Sequence, residues 1–428
     1  MNLVGRVVRP VTELLGGEGG RTLLAVAGAW FLALGTRIAV PAVLPHVRAD
    51  VGIDNATAGA VVTTLWVAYA LTQFPSGLLT DRIGERRMLV GSMILGALGT
   101  LVLGLAGGLA GLVAGVLLYG LGTGVFATPR VMIVSRVFPH RATTALGVVF
   151  AAGNVGNTVL PALAGLIAAA LGWRVGFLAV APLFVLAAVG LRVTLPDTGP
   201  DGASGADAGP AGDGEDHAAD GGRETPDVAA AVAELRRRPV GFATVALVLF
   251  AFAYQGLIGF LPTYLVDAKG LAPGRASLLF GAFFAAGLVA QLAVGSLADR
   301  HGRRPLLVAT LAVTVAGLGT LTVAEGTVAL AGIVLLLGVQ LGFWPVVNAY
   351  AYDALSDGAR GGGYGFVRTI YLCLGATGPL VVGVLFDAGR YDGAFLVLVA
   401  AFALVALVCA ALPTVEPPAE TDEAAGTA

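Results

Sequence analysis

The stretch GLLTDRIGERR, residues 77–87, recurs as GSLADRHGRRP, residues 295–305. Each copy stands between two long apolar runs of the chain. A constant spacing between two similar sequence motifs indicates that a unit of the chain was duplicated. The identical positions are all separated by 218 residues: Gly77 and Gly295, Asp81 and Asp299, Arg82 and Arg300, Gly84 and Gly302, and Arg86 and Arg304.

The composition predicts that most of the chain lies in lipid. Of its 428 residues 57% are hydrophobic and 12% are charged, and the mean hydropathy is +0.87, whereas a soluble protein has about 25% charged residues. Apolar runs of about 20 residues are candidate membrane helices, and no segment alternates as barrel strands do. We therefore expect an all-α membrane protein with 12 transmembrane helices, which we call spans 1 to 12: 22–46, 57–80, 88–106, 109–134, 143–171, 175–195, 240–266, 276–298, 305–323, 327–352, 362–386 and 393–412.

The distribution of arginine predicts the orientation of these spans. Cytoplasmic loops are rich in Lys and Arg. The loops after spans 2, 4 and 8 are arginine-rich, whereas the alternate loops hold single basic residues or none. We therefore expect a multi-pass protein of the plasma membrane with both termini and the loop between spans 6 and 7 in the cytoplasm.

The repeat extends beyond this charged motif and divides the chain into two halves. At the same offset Gln73 matches Gln291, and Pro161 matches Pro379. Duplication of six spans preserves orientation, so we expect two pseudo-symmetric six-helix bundles. The predicted segments are a cytoplasmic N-terminal segment (1–21), an N-terminal bundle (22–195), an acidic disordered linker ending in a short helix (196–239), a C-terminal bundle (240–412) and an acidic cytoplasmic tail (413–428).

These features resemble the major facilitator superfamily of transporters. Its loop signature is a Gly, three residues, Asp-Arg, one residue, Gly, one residue and two bases. Residues 77–87 fit every position, and residues 295–305 fit all but the last, where Pro305 replaces a base. The resemblance implies two bundles that tilt against each other in a rocker-switch around a site halfway through the membrane.

The resemblance also implies a gating role for the repeated charged motif. Asp81 should lie at the N-terminus of span 11, near residues 361–365, and Asp299 should lie at the start of span 5, near residues 143–147, because a helix N-terminus stabilises an acid. Arg300 or Arg304 should pair with Asp353 at the end of span 10. The alternative is that the loops only fix topology. The candidate gating residues are Gly77, Asp81, Arg82, Gly84, Arg86, Arg87, Gly295, Asp299, Arg300, Gly302, Arg303, Arg304 and Asp353.

Buried arginines mark a candidate binding site. A charge inside a membrane is a functional-site hypothesis by default, and Arg37 in span 1 is the clearest case. An arginine eight residues before a proline in span 1 resembles the organophosphate and organic-anion branches of the superfamily, in which it grips a phosphate or carboxylate. Arg130 in span 4 is the second candidate, with interhelical hydrogen bonding or snorkelling as its alternative. For Arg368 in span 11 we expect gating or snorkelling.

Polar stripes predict that a wet cavity adjoins these arginines. Residues three or four apart share a helical face. The alternative is that such side chains hold helices together, and for Phe280, Phe283 and Phe284 we expect packing only. The candidate substrate-binding residues are Arg37, Arg130, Trp66, Tyr69, Gln73, Tyr254, Gln255, Gln340, Trp344 and Asn348.

Together these patterns predict a secondary or facilitative transporter, with a small organic anion as the favoured substrate. The alternatives are an efflux antiporter for hydrophobic or drug-like compounds and a transporter-derived sensor. No span has an Asp, Glu or His near its midpoint, so proton coupling is disfavoured, while uniport, anion exchange and Na⁺ coupling stay open. We expect no enzyme, cofactor, metal or nucleic-acid partner, and a monomer in the bilayer.

Overall fold

The computed structural model describes residues 14, 16–17, 19–196, 233–356 and 360–413, and the regular elements in these ranges are helical. Eleven of the helices are long and apolar enough to cross a membrane, and the shorter apolar helix Asn55–Leu71 belongs to span 2. A short helix, Leu44–Val51, follows span 1. The spans are Gly20–Ala42, Asn55–Leu71 with Gln73–Ile83, Glu85–Gly104, Leu109–Val125 with Ala127–Val137, Ala142–Leu171, Trp173–Thr194, Arg238–Asp267, Pro273–His301, Arg303–Val323, Thr327–Leu337 with the 3-10 segment Gly338–Gly342 and Phe343–Asp353, Arg360–Gly375 with Gly378–Asp387, and Tyr391–Ala410.

Spans 2, 4, 10 and 11 are interrupted, whereas the sequence predicts continuous runs. Each of their final helical segments has a proline within its first three residues: Pro75, Pro129, Pro345 and Pro379. Proline lacks the N–H for a helical hydrogen bond, and its ring clashes with the preceding turn. The interruptions therefore lie one turn before the prolines.

The duplicated unit is visible in the backbone. Gly52 and Gly270 both have positive φ, at 72° and 69°. Gly84 and Gly302 have nearly identical angles, φ 87° and ψ 148° against φ 88° and ψ 149°. Residues with a side chain rarely adopt these conformations, so glycine recurs at equivalent turns.

Small residues bring equivalent spans into close contact in both bundles. A Cβ on Gly120 would stand 2.6 Å from the Leu65 carbonyl oxygen, and one on Gly338 would stand 2.7 Å from the Phe283 carbonyl oxygen. Both members of the first pair are 218 positions before those of the second. Spans 2 and 4 therefore cross as spans 8 and 10 do, through backbone contact that only glycine permits.

We call the end that carries residues 77–87 and 295–305 the motif end, and the end that carries the turns at Gly52 and Gly270 the far end. At the far end, the Asp387 carboxylate of span 11 accepts hydrogen bonds from the backbone N–H groups of Asn55, at 2.8 Å, and Ala56, at 2.7 Å. The Asn55 side-chain amide donates to the same carboxylate at 2.9 Å. An acid of the C-terminal bundle thus satisfies the first turn of span 2 in the N-terminal bundle.

Further contacts join the bundles between the far end and mid-depth. Arg48 forms an ion pair with Asp267 at 2.7 Å. The Thr63 hydroxyl donates to the Ala376 carbonyl at 2.7 Å. Toward the motif end, by contrast, a Cβ added to Gly147, Gly295 or Gly365 would meet nothing within 4 Å. On the motif side of mid-depth the Asn154 amide donates to Gln291 Oε1 at 3.3 Å, so the hydrogen bonds and ion pairs between the bundles among the described side chains run from the far end to just past mid-depth.

Among the described residues, an ion pair joins the start of the third span to the end of the fourth span at the motif end of each bundle. Glu85 is paired with Arg136 at 2.7 Å, and Asp353 with Arg303 at 2.5 Å. The prediction that Arg300 or Arg304 would pair with Asp353 is wrong, because Arg303 begins span 9 and lies against the end of span 10. The side chains of Asp81 and Asp299, residues 197–232 of the linker and residues 414–428 of the tail lie outside the described residues.

Candidate functional site

Arg37 of span 1 lies in an aromatic cradle. Its side chain is 1% exposed, and its guanidinium carbon lies 3.8 Å from the centre of the Tyr69 ring and 5.2 Å from the Trp66 ring. Its Nε and Nη2 atoms have no hydrogen-bond partner among the described residues. The rings offset part of the desolvation cost of the cation, while N–H donors remain for a ligand.

Arg130 of span 4 lies beside the same cradle. It is 4% exposed, so it does not snorkel. Its guanidinium carbon lies 3.9 Å from the centre of the Trp30 ring and 4.9 Å from that of Phe150. The Arg37 guanidinium carbon lies 6.0 Å from the centre of the Trp30 ring, so both arginines lie next to this indole. Its own Nε and Nη1 atoms lack a hydrogen-bond partner in the described chain.

Trp30 occupies its place because span 5 has a glycine opposite it. A Cβ on Gly153 would stand 2.3 Å from the Trp30 Nε1 atom, and one on Gly156 would stand 2.3 Å from the Phe31 carbonyl oxygen. Span 5 therefore crosses span 1 at backbone distance beside the arginine site. A side chain at position 153 would displace the indole against which Arg130 lies.

Arg368 of span 11 joins this group from the opposite bundle, whereas the sequence predicts gating or snorkelling. It interacts with Tyr69 of the N-terminal bundle and with Tyr364 and Tyr371 of its own span. Its Nε atom is buried and has no hydrogen-bond partner within the described ranges. The snorkelling prediction is wrong because the side chain points inward to the tyrosines.

The C-terminal bundle supplies an aromatic and amide face. The Trp344 ring lies 5.6 Å from Tyr254 and 5.7 Å from Tyr371, between ring centres. Asn348 donates to the Trp344 carbonyl at 2.7 Å and accepts from the Tyr364 hydroxyl at 2.8 Å. This asparagine therefore fixes Tyr364 beside Arg368.

Three of the candidate amides differ in what they can still bind. Gln73 donates to the Gly124 carbonyl at 3.3 Å, just before the interruption of span 4, which is a structural use of its amide. Gln255 and Gln340 are buried. The Gln255 Oε1 atom and both polar atoms of Gln340 have no partner among the described residues. Buried polar groups are normally satisfied, so these amides are the better candidates for ligand contact.

The charges around this group are of one sign. The charged side chains that act on Arg130 include Arg37 and Arg368, and the groups that act on Arg368 are tyrosines, with no carboxylate in either set of described neighbours. The described residues also contain no cluster of three acid, His or Cys side chains able to hold a metal ion. An anion would satisfy both the charge and the free donors.

Sequence reasoning did not single out Trp30, Phe150, Tyr364 or Tyr371 as parts of this site. The signal lay in helical spacing from the arginines. Trp30 precedes Arg37 by two turns, and Tyr364 and Tyr371 lie four residues before and three after Arg368. Aromatic residues at such spacings share a face with the charge. Phe280, Phe283 and Phe284 pack against one another as expected.

The profile of the Major Facilitator Superfamily matches residues 25–275 and 267–428. The chain belongs to this superfamily, and the prediction of a 12-helix fold in two six-helix bundles is confirmed. Members of the superfamily are transporters and not enzymes. This chain is accordingly a multi-pass membrane transporter of small solutes, set in a lipid bilayer.

Known relatives resemble the chain over nearly its full length. The hexuronate transporter of Bacillus subtilis (strain 168) is 25% identical over 415 residues, which are 90% of this chain and 93% of the relative. The probable sulfoacetate transporter SauU of Cupriavidus necator is 27% identical over 419 residues, 93% and 94% of the two chains. A crystal structure of a bacterial homolog to the human lysosomal transporter Spinster has a TM-score of 0.76 at 14% identity, over 93% of this chain and 97% of that one. That likeness shows the fold alone.

Proposed function

We propose that this chain carries small organic anions across the plasma membrane by alternating access, with Arg37 as the principal ligand and Arg130 as the second. One observation carries the proposal: two buried guanidinium groups lie against the Trp30 ring with unused N–H donors. A guanidinium presents a fork of donors that matches carboxylate, sulfonate or phosphate oxygens. Interhelical hydrogen bonding, the alternative role, would use these donors.

The names of two relatives support the substrate class. Hexuronate is a carboxylate, and sulfoacetate carries a sulfonate and a carboxylate. Both names therefore describe small organic acids. The aromatic cradle and the free amides of Gln255 and Gln340 suit a hydroxylated organic body rather than a bare inorganic ion.

The arrangement of the bundles suggests which side the anion enters. The arginine-rich loops predict that the motif end lies in the cytoplasm. The far end is then the outer side, where Asp387 holds span 2. In this conformation the proposed path leads from the site to the cytoplasm, and the outward-facing state requires the Asp387 contacts to break.

Among the described residues that act on the arginines, the site has no carboxylate or imidazole to carry a proton. The neighbours that act on Arg130 and Arg368 are arginines and tyrosines, and a proton carrier needs a group that titrates near neutral pH. The proposal is therefore anion exchange, uniport or Na⁺-coupled transport by a monomer.

Uptake into proteoliposomes tests the proposal. Wild-type protein is compared with Arg37→Gln, using radiolabelled glucuronate, sulfoacetate, a sugar phosphate and glucose. Arg174→Gln is the matched control, because Arg174 is an arginine of the same bundle that pairs with Asp50 at the far end. We expect anion uptake by the wild type and the control, and a loss of roughly 100-fold in Arg37→Gln, since two charge-assisted hydrogen bonds are removed.

Transport of glucose without any anion would refute the proposal. So would undiminished anion uptake by Arg37→Gln in a correctly folded preparation. Transport of hydrophobic cations alone would favour the efflux alternative.

A further inference from the structure

Arg368 is a third cation beside the site that the proposed pair of ligands does not use; it is half-buried, and its Nε atom is buried. It reaches the site from span 11, so it belongs to the bundle opposite Arg37 and Arg130. Tyr69 lies between the two sides, because it interacts with Arg37 and with Arg368. Arg368 also has an unused Nε donor, and its neighbour Tyr364 is fixed by Asn348.

The charge of the group exceeds what one acid group can neutralise. Arg37 and Arg368 both act on Arg130 as like charges, and the described groups that act on Arg130, Arg368 and Tyr69 include no carboxylate that compensates. A carboxylate bound to Arg37 and Arg130 would leave the charge of Arg368 facing it across the gap between the bundles. Uncompensated charge in a low-dielectric interior is strongly unfavourable.

We infer that Arg368 is a third ligand and that the site takes a small organic dianion, with one acid group on Arg37 and Arg130 and the other on Arg368. The inference rests on the proposed function and sharpens its substrate class. Because Arg368 stands on the other bundle, the dianion bridges the two bundles. A monoanion of the same body leaves Arg368 unpaired and binds more weakly.

Matched acids that differ by one charge test the inference. Three pairs are compared: glucarate with gluconate, succinate with butyrate, and sulfoacetate with acetate. Binding to purified wild type is measured by ligand-induced thermal stabilisation, and transport by competition in proteoliposomes. We expect the dianion of at least one pair to bind at least 10-fold more tightly than its partner.

Three variants separate a ligand from a structural residue. In Arg368→Gln the preference for the dianion should disappear, with the affinity for the monoanion changed less than 3-fold. Arg368→Lys should keep part of the preference, because it retains the charge and loses the fork. Arg192→Gln, at an exposed arginine of span 6, should behave as the wild type.

Each remaining outcome counts against the inference. If no dianion is preferred in any pair, or if Arg368→Gln weakens both members of a pair equally, Arg368 is not a ligand for a second acid group. Monoanion binding and uptake would then leave the proposed function standing. If no acid of any kind binds or is carried, the proposed function fails as well.

Discussion

The two bundles share their backbone but differ in the charge they carry at the site. The turns at Gly84 and Gly302 have the same angles within 1°, and the crossing at Gly120 is repeated at Gly338. Yet the residue 218 positions after Arg37 is Gln255, and the residue 218 positions after Arg130 is Asn348. Shape was conserved where glycine is required, whereas charge diverged where side chains face the interior.

For Arg368 the C-terminal bundle carries the charge and the N-terminal bundle does not. Its counterpart 218 positions earlier is Phe150, whose ring lies 4.9 Å from the Arg130 guanidinium carbon. The aromatic residues diverged too, since Tyr69 corresponds to Gly287 and Trp66 to Phe284. A pseudo-symmetric scaffold therefore holds an asymmetric site.

The ion pairs at the motif end are reversed in sign between the bundles. Glu85 corresponds to Arg303 by the repeat, and each is paired with the end of the fourth span of its bundle, at Arg136 and at Asp353. Both ties join the start of the third span to the end of the fourth. Both bundles therefore have an ion pair at this place, but the acid and the base are on opposite spans.

Exchange of the span 1 and span 7 residues should give the largest effect. In the double variant Arg37→Gln with Gln255→Arg, the charge moves from span 1 to the equivalent position of span 7 in the other bundle, and the place of Arg37 over the Tyr69 and Trp66 rings loses its charge. We expect anion uptake to stay reduced by roughly 100-fold, within 3-fold of Arg37→Gln alone. Recovery to near wild-type uptake would show that depth alone, without the aromatic cradle, defines the site.

Removal of the arginine from each motif-end ion pair should destabilise the N-terminal bundle more. The Glu85 side chain is 4% exposed, whereas that of Asp353 is 23% exposed. Arg136→Ala leaves a buried carboxylate unpaired and should cost about 3 kcal/mol, against about 1 kcal/mol for Arg303→Ala. Thermal unfolding in detergent measures both, and equal shifts would contradict the difference in burial.

Alanine at the two equivalent crossings should have equal and intermediate effects. Gly120→Ala and Gly338→Ala each place a Cβ within 2.7 Å of a backbone oxygen, so each should cost about 2 kcal/mol. Gly28→Ala is the matched control, because a Cβ there meets nothing within 4 Å. A clear loss in one bundle only would mean that the repeated contact is not equally tight.

The smallest effect is expected at the far-end turns. Gly52 and Gly270 have positive φ with open space around the Cβ position, so the backbone alone opposes a substitution. Alanine at either position should cost about 1 kcal/mol, and asparagine less, because it tolerates the left-handed conformation. The free energy of unfolding of each variant is measured by chemical denaturation. An alanine variant as stable as the wild type would show that the positive φ at that turn does not require glycine.

The sequence predicts the fold almost completely. Twelve apolar runs and a constant offset define the spans and the bundles, because lipid forces helices and duplication preserves orientation. The interruptions of spans 2, 4, 10 and 11 were missed, although Pro75 and Pro129 stood within the predicted runs. A hydropathy window does not register a lost hydrogen bond.

The candidate site is predicted less completely. Arg37 and Arg130 stand out because charge is rare in apolar spans. The position of Arg368 along span 11 predicts gating or snorkelling, but position along a helix does not define the direction of the side chain. Its contact with Tyr69 joins residues of different bundles, and a contact of that kind depends on how closely the bundles approach.

The Asp387 carboxylate links the transport cycle to a place remote from the substrate. It and Asn55 are separated by 332 positions of sequence. Opening the far end would expose two backbone N–H groups and a carboxylate to water. In the proposed cycle, breaking these hydrogen bonds would add to the barrier for opening the far end. In the proposed alternating-access cycle, an amide at position 387 would weaken this contact and shift the resting population away from the conformation described here, with the residues around Arg37 unchanged.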